Sequence, residues 1–220
     1  MNMTCPSSGK EASATRAAYL SVRDMILTGV LPAGEKIKIE TLRKLLGMGA
    51  SPVREALSLL TSDLLVERID QRGFRAAPAS PENFDEILKL RCALEDIALR
   101  QSIEFATPEW EERLVLAHHH MNRAASNNGF EDAHKSFHMT LLSNANSPMM
   151  ERYCSQLYDL NIRYRNLAAS GASYQSRNIT AEHQQIFTAA VKRDGDAASA
   201  ALLSHYRLTG DYLAQQLAKL

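Results

Sequence analysis

Apolar positions in the first third of the chain recur with two spacings, one typical of helices and one typical of strands. Residues 16–28 and 39–46 carry apolar side chains three or four positions apart, and so does the segment that follows Ser51. Segments 65–69 and 74–77 instead alternate apolar and polar residues on either side of a turn that contains glycine. The pattern therefore predicts three helices followed by a β-hairpin.

From residue 80 onward only the helical spacing is present. Three Ser-Pro or Thr-Pro pairs mark helix starts, because a hydroxyl can cap a backbone N–H group and proline has none to leave unpaired. Helices are predicted over residues 81–105, 108–126, 130–144, 148–169, 177–193 and 196–218. Helices of this length joined by short loops are typical of an antiparallel bundle.

The segment Ser51-Pro52-Val53-Arg54 begins the third predicted helix, with Ser51 as the expected N-cap and Pro52 as the first helical residue. Gly47-Met48-Gly49 separates it from the preceding helix, as in a helix-turn-helix whose second helix presents its first residues to DNA bases. Arg54 would then face DNA. By itself the pattern also allows Arg54 to pair with a nearby Glu on a solvated helix face.

The hairpin that follows favours the DNA-binding interpretation. Arg68, Arg72 and Arg75 lie on or near its turn, where they can reach phosphates or a minor groove. A short alternating segment, residues 36–39, is predicted to pair with this wing. The predicted fold class is mainly α, with an N-terminal winged helix-turn-helix and a C-terminal antiparallel all-helical bundle.

Charge is distributed unevenly between these two parts, although the net charge is zero. Residues 1–78 contain 11 Lys and Arg against 8 Asp and Glu, whereas residues 79–220 contain 14 against 17. A basic head can bind DNA phosphates through counterion release while an acidic body stays off the DNA. We therefore expect a DNA-binding domain over 14–78 and a helical domain over 79–220.

Cysteine usage and hydropathy exclude other classes of protein. The three cysteines, Cys5, Cys92 and Cys154, lie far apart, which predicts reduced thiols in a cytoplasmic protein and gives no Cys metal motif. No run of about 18 apolar residues is long enough to span a membrane. Residues 1–13 lack the apolar core of a signal peptide and are predicted to form a flexible tail.

Three segments resemble the N-terminal domain of GntR-type bacterial transcription regulators: Leu31-Pro32-Ala33-Gly34-Glu35-Lys36, Pro52-Val53-Arg54-Glu55-Ala56-Leu57 and Arg72-Gly73-Phe74. The resemblance covers residues 14–78 and implies a homodimer that binds double-stranded operator DNA. The candidate DNA-contacting residues are Ser51, Pro52, Arg54, Arg43, Arg72 and Gly73. Ala50 stands where the family usually has an arginine, a residue that can discriminate guanine by about 1–3 kcal/mol. We therefore expect a departure from the usual operator sequence.

Four histidines in the second part have spacings that permit a metal site. His134 and His138 are four apart and share one helix face, while His183 and His205 have apolar neighbours that would turn them inward. A helical bundle can bring such residues together from facing helices. The alternative is that they are ordinary core or surface histidines. His118-His119-His120 cannot converge on one ion, because consecutive residues spread around the helix, and most of them are expected to face solvent.

The surroundings of these histidines resemble the FCD effector domain of the FadR branch of GntR regulators, through Phe137-His138, His183 with Ile186, His205, and Arg91 with Leu94-Glu95. The resemblance implies that three histidines and an aspartate bind a divalent metal and that a carboxylate effector completes its coordination. Here His138, His183 and His205 match, and His134 occupies the aspartate position.

Replacing a carboxylate by a neutral imidazole leaves the full charge of the ion uncompensated, which favours an anionic effector and a transition metal such as Zn or Ni. The predicted effector is a small carboxylate or dicarboxylate. Because guanidinium groups pair with carboxylates, its candidate anchors are Arg91, Arg163 and Arg165, and Tyr164, on the same helix as the last two, is a further candidate. Each of these arginines has an alternative role in a surface or interhelical ion pair.

Together these features predict a ligand-responsive transcription regulator, a repressor by family habit. The rival hypothesis is a metal-dependent enzyme that uses the histidine cluster. It leaves residues 14–78 unexplained and lacks a general base, because Glu182 is expected to face away from its neighbour His183.

Overall fold

A computed structural model describes residues 8–70, 72–124, 129–168 and 178–217, with the backbone alone described at 8–12, 167–168 and 217. The chain forms two compact units. The first contains the chain up to Ser80 together with Ile162–Leu167, and the second contains Pro81–Asn161 and the residues from Ala168 onward. None of the described helices combines the length and the apolar content required to cross a membrane.

The first unit is a winged helix, as the sequence predicts. Its elements are α1 (Ser8–Leu27), β1 (Lys36–Ile37), α2 (Ile39–Leu46), α3 (Ala50–Ser62), β2 (Val66–Ile69) and β3 (Gly73–Ala76). The strands form an antiparallel sheet in the order β1-β3-β2, so the predicted pairing of β1 with the wing is confirmed. Helix α1 begins at Ser8 and so extends into the predicted tail, while residues 1–7 lie outside the described residues.

The turn between α2 and α3 depends on two glycines. Gly47 ends α2 in the left-handed conformation, with φ 65°, and its N–H donates to the carbonyl of Arg43. Gly49 is extended and occupies the N-cap position of α3. The expectation that Ser51 caps this helix is therefore wrong. The helix begins two residues earlier than predicted, at Ala50 and not at Pro52, and the Ser51 hydroxyl lies 3.4 Å from a carboxylate oxygen of Glu55 instead.

The second unit is an all-helical bundle whose helices follow the predicted ranges closely. Its helices are α4 (Pro81–Glu104), α5 (Pro108–Ala124), α6 (Phe130–Leu142), α7 (Pro148–Ala168), α8 (Ile179–Val191) and α9 (Gly195–Leu217), except that the Ile162–Leu167 part of α7 belongs to the first unit. Two of the predicted caps are present, since the hydroxyls of Thr107 and Ser147 accept from the backbone N–H groups three residues on. Helices α4 and α9 approach closely at Gly210, where a methyl group would overlap the Leu88 side chain.

The core of the second unit is closely packed around large side chains from several helices. Trp110, Leu114, Phe137, Leu202 and Ile186 are each no more than 2% exposed. The polar residues of the candidate site lie beside this core. Because the core around them is closely packed, these side chains are already restricted in their movement before any ligand binds.

Candidate metal centre and DNA-contacting surface

The four predicted histidines meet in the second unit. His134 and His138 come from α6, His183 from α8 and His205 from α9, and each is at most 6% exposed. One ring nitrogen of each histidine lies within 4.8 Å of those of the other three. The helical spacing of α6 explains why His134 and His138 lie side by side, and the rings of His183 and His205 reach them from α8 and α9, two helices that pack against each other.

The donor set of this cluster fits a divalent transition metal. The Nε2 atom of His134 lies 3.0 Å from Nε2 of His183 and 3.2 Å from Nε2 of His138. Three buried Nε2 atoms therefore converge. Where two such nitrogens face each other with their lone pairs, they repel unless a proton or a cation lies between them. Neutral imidazoles are ligands that Zn, Ni and Cu accept readily.

Polar groups outside the cluster hold the opposite nitrogen, Nδ1, of three of these rings. Nδ1 of His134 lies 2.5 Å from the Tyr158 hydroxyl, and Nδ1 of His138 lies 3.0 Å from the Tyr206 hydroxyl. Nδ1 of His205 lies 2.7 Å from a Glu182 carboxylate oxygen. Such partners orient metal-binding histidines and leave the other ring nitrogen to face the ion.

Sequence reasoning missed these outer partners. Glu182 was expected to lie on a different helix face from its neighbour His183 on α8. It does leave the face of His183, yet its carboxylate reaches His205 on the neighbouring α9. The sequence signal available was adjacency, since Glu182 precedes one cluster histidine and Tyr206 follows another.

Arg91 lies in the same buried region and is 5% exposed. Its guanidinium donates through Nε to Glu95 at 2.7 Å and through Nη1 to Asn161 at 3.0 Å. Its Cζ atom is 4.8 Å from the ring centre of Tyr158 and 4.1 Å from that of Tyr206, the two tyrosines that contact the histidines. The guanidinium is thus held between the side chains that orient His134 and His138.

One atom of Arg91, Nη2, is buried without a hydrogen-bond partner among the described residues. A buried charged donor left unpaired is costly, so such a group commonly marks a site where a ligand or an ion binds. The other predicted effector anchors, Arg163, Tyr164 and Arg165, belong to the first unit. There Arg163 donates to the carbonyl of Ala77, and the Tyr164 hydroxyl accepts from the Ser80 N–H.

Burial also favours the protonated form of one outer partner. It raises the pKa of Tyr206 well above its usual value of 10.0. A tyrosine hydroxyl is protonated at neutral pH even at its usual pKa, burial favours that form further, and the hydroxyl donates its proton to Glu95. Glu95 thus accepts from both Tyr206 and Arg91.

The consecutive histidines of α5 form no such cluster. His118 is buried, with its ring 4.2 Å from that of Phe187 and nearly parallel to it, whereas His119 and His120 are exposed. Across the described part of the chain, the group of metal-ligating side chains found is the one formed by His134, His138, His183 and His205.

The first unit exposes the predicted DNA-contacting residues of α3. Val53, Ala56, Leu57 and Leu60 are fully buried, so Ser51 and Arg54 lie on the opposite, exposed side of the helix. In the part of the chain that the structure describes, no ion pair engages Arg54. Its guanidinium is therefore available to a base or a phosphate.

The other DNA-contacting candidates have varied surroundings. Pro52 is partly buried at the start of α3. Arg72 and Gly73 are exposed at the turn of the wing, where Gly73 has a φ of 95° that favours glycine. Arg43 on α2 pairs with Glu40 at 3.0 Å, but the two side chains are 43% and 68% exposed, and pairs in contact with solvent contribute little.

A winged helix joined to a helical domain with a buried polar site defines a class of protein, the ligand-responsive transcription regulators. Comparison with known families agrees. Residues 14–75 match the family described as bacterial regulatory proteins, gntR family, and residues 86–208 match the FCD domain. The chain belongs to the GntR family and carries an FCD effector-binding domain, consistent with the FadR subfamily.

Two similar proteins cover most of the chain. One is described as the uncharacterized HTH-type transcriptional regulator BphR of Paraburkholderia xenovorans (strain LB400); it is 34% identical over 88% of this chain and 82% of its own length. The other is the HTH-type transcriptional repressor GlaR of Escherichia coli (strain K12), 26% identical over 90% of this chain and 94% of its own length. Both are transcription regulators, and the enzyme hypothesis is therefore rejected.

Solved structures share the fold. Escherichia coli McbR/YncC superimposes with a TM-score of 0.80 at 20% identity, covering 92% of this chain and 98% of its own. A GntR regulator from Rhodococcus sp. RHA1 gives a TM-score of 0.75 at 20% identity, covering 92% and 97%. GntR regulators bind operator DNA, and FCD domains bind small-molecule effectors and are often associated with a metal.

Proposed function

We propose that this protein is a repressor that binds operator DNA as a homodimer and releases it when a small carboxylate binds at a metal ion in the helical domain. Residues 14–78 form the DNA-binding domain in this proposal, and residues 79–220 form the effector-binding and dimerisation domain. The observation that carries the proposal is the convergence of His134, His138, His183 and His205 in the bundle interior.

The four histidines would hold the ion, and their composition favours Zn or Ni. Because all four side chains are neutral when they coordinate, they leave the double positive charge of the ion uncompensated. A bound ion would supply this positive charge and a coordination position for an anionic oxygen of the effector. The histidine in place of aspartate at position 134 therefore favours an anionic effector.

Arg91 supports a carboxylate as the effector. Its buried Nη2 atom is a charged donor without an acceptor among the described residues, and guanidinium N–H groups pair well with carboxylates. A small acid could bind the ion with one oxygen and accept from Arg91 with another. A dicarboxylate could use a separate group for each contact.

Two considerations support the homodimer and the repressor role. A single recognition helix reads only a few base pairs, so two-fold symmetry doubles the sequence that is read. Leu90 and Ile97 on α4 are 53% and 48% exposed and lie two helical turns apart on one face, as expected of an interface. The similarity to GlaR, a named repressor, supports repression.

The experiment measures DNA affinity by fluorescence anisotropy, using duplexes selected by the wild-type protein from a random pool. Zn²⁺-loaded protein is titrated with a panel of small mono- and dicarboxylates. We expect one of them to weaken DNA binding by about tenfold or more, because coupling free energies are typically about 1–3 kcal/mol. The His138→Ala variant should lose this response, and the exposed-site control His120→Ala should keep it.

The proposal fails if no acid in the panel changes the DNA affinity of the wild type. It also fails if His138→Ala responds as the wild type does. Native mass spectrometry of the same samples tests the homodimer, which a monomeric wild type at micromolar concentration would contradict.

A further inference from the structure

A buried chain of hydrogen bonds runs from His138 through Tyr206 and Glu95 to Arg91. Nδ1 of His138 lies 3.0 Å from the Tyr206 oxygen, Tyr206 donates to Glu95, and the other oxygen of Glu95 accepts from Arg91 at 2.7 Å. Glu95 is fully buried, and Tyr206 is 2% exposed. The members of this chain depend on one another for hydrogen bonds, because water does not reach them.

The direction of each hydrogen bond in this chain is determined by proton counting. Glu95 is ion-paired with Arg91, so it is a carboxylate that can only accept. Tyr206 has one hydroxyl proton and donates it to Glu95. The Tyr206 oxygen can then only accept at its contact with His138, so the proton in that contact must be on Nδ1 of His138.

A neutral imidazole carries one proton. If that proton is on Nδ1, then Nε2 of His138 carries a lone pair, and Nε2 is the atom that lies 3.2 Å from Nε2 of His134 within the cluster. The tautomer that binds a metal is thereby present before any ion arrives. The same argument applies to His205, whose Nδ1 contacts the acceptor-only carboxylate of Glu182.

We propose that Tyr206 and Glu95 are positioning residues that fix the metal-binding tautomer of His138 and join it to the effector anchor Arg91. The proposal rests on the function proposed above, since it concerns the same site. Neither residue ligates the ion. Tyr206 acts through His138, and Glu95 acts through both Tyr206 and Arg91.

This arrangement differs from an ordinary packing role for Tyr206. A packing role depends on the ring, which Tyr206→Phe retains, and only the proposed role depends on the hydroxyl. Tyr19→Phe is a matched control, because Tyr19 also donates its hydroxyl proton to a carboxylate, that of Asp63 at 2.7 Å, in the first unit. Both variants remove the hydroxyl of a tyrosine that donates a hydrogen bond to a carboxylate.

The first test observes the tautomers directly in metal-free protein. Two-bond ¹H–¹⁵N spectra at pH 8 distinguish the two neutral forms of each histidine, and the His138 signals are identified by their loss in His138→Ala. We expect the Nδ1–H form for His138 in the wild type and in Tyr19→Phe. The Nε2–H form in the wild type overturns the proposal.

The second test measures affinity for Zn²⁺ alone, by competition with a chromophoric chelator. Loss of an outer partner of a ligating histidine typically weakens metal binding by about 10–100-fold, and we expect this for Tyr206→Phe. Tyr19→Phe should bind as the wild type does. Equal affinity for Zn²⁺ in Tyr206→Phe and Tyr19→Phe overturns the proposal. A wild type that binds no metal refutes the proposed function instead, and the role of Tyr206 and Glu95 in fixing the tautomer is then decided by the first test.

Glu95→Gln is a second variant, with a different consequence. The side-chain amide of this variant has one oxygen, which accepts, and one NH₂ group, which only donates. It therefore cannot accept from Arg91 with one of these groups and from Tyr206 with the other. We expect the His138 signals to shift from the Nδ1–H form towards the Nε2–H form in this variant. An unchanged His138 tautomer in a folded Glu95→Gln protein contradicts the role assigned to Glu95.

Discussion

Arg91 and Glu95 form an ion pair at 2.7 Å on successive turns of α4, and their side chains are 6% and 0% exposed. On the same helix Arg100 pairs with Asp96 at 2.8 Å, with side chains 43% and 30% exposed. The Arg91–Glu95 and Arg100–Asp96 pairs have the same sequence spacing and similar distances and differ in burial, and Arg100 also pairs with the exposed Asp196 at 2.5 Å. A buried charge depends on its partner, whereas an exposed charge can be solvated by water. The two ion pairs therefore allow the effect of burial on stability to be compared within one helix.

Arg91→Ala should destabilise the protein strongly, since it leaves the buried Glu95 without its partner. Breaking one member of a buried ion pair typically costs about 3–5 kcal/mol, whereas an exposed pair contributes about 0–1 kcal/mol. Urea unfolding followed by circular dichroism compares Arg91→Ala with Arg100→Ala. Similar free energies of unfolding for the two variants would show that burial of the Arg91–Glu95 pair has little effect on stability.

Arg91→Lys should separate effector binding from folding. Lysine keeps the positive charge beside Glu95 but lacks the planar set of N–H groups with which arginine pairs with Glu95, Asn161 and a ligand simultaneously. We expect Zn²⁺-loaded Arg91→Lys to bind DNA normally and to need about tenfold or more carboxylate for release. A release curve that matches the wild type would remove Arg91 from the effector site.

Arg54→Ala should weaken binding to the selected DNA by about tenfold or more, as expected for loss of a specific base contact worth about 1–3 kcal/mol. Arg152→Ala is the control, because Arg152 is an exposed arginine on α7 and its loss changes the net charge equally. Anisotropy titrations at several salt concentrations measure both affinity and salt dependence. Equal losses in the two variants would mean that Arg54 acts through general charge and does not read the DNA sequence.

His118 should make the stability of the helical domain depend on pH. Burial lowers the pKa of His118 below its usual value of 6.5, so the unfolded chain takes up a proton that the folded protein resists. The contribution of the neutral His118 side chain to the free energy of unfolding is therefore complete above about pH 6.5. It is lost as the pH falls from there towards the pKa that His118 has in the folded protein. The stability of His118→Phe, which keeps the ring contact with Phe187, should therefore decline less between pH 7.5 and 5.5. Parallel decline in urea unfolding would contradict this account.

The elements of this fold were predictable because their signals are local. Proline at the start of a helix and apolar residues three or four apart located the bundle helices, and His134 with His138 followed from the same periodicity. The start of α3 was predicted two residues too late, at Pro52, whereas the helix begins at Ala50. The extended Gly49 allows Ala50 to enter the helix, and nothing in the local pattern separates this from a cap at Ser51.

The outer partners of the histidines could not be found in this way. Tyr158 lies 24 residues from His134, and Tyr206 lies 68 residues from His138, so each contact depends on how helices pack. Arg91 and Arg163 are both buried arginines in long helices. Only the structure separates the one beside the histidine cluster from the one bonded to the carbonyl of Ala77.

The metal content of the purified protein tests the central proposal most directly. Protein prepared without a histidine tag is exposed to Zn²⁺ or Ni²⁺, freed of loosely bound ions and analysed by inductively coupled plasma mass spectrometry. We predict about one ion per chain in the wild type and in His120→Ala, and a large loss in His138→Ala and His183→Ala, because each removes one ligand of a four-ligand site. A wild type without metal, or full occupancy in both ligand variants, would contradict the four-histidine metal site.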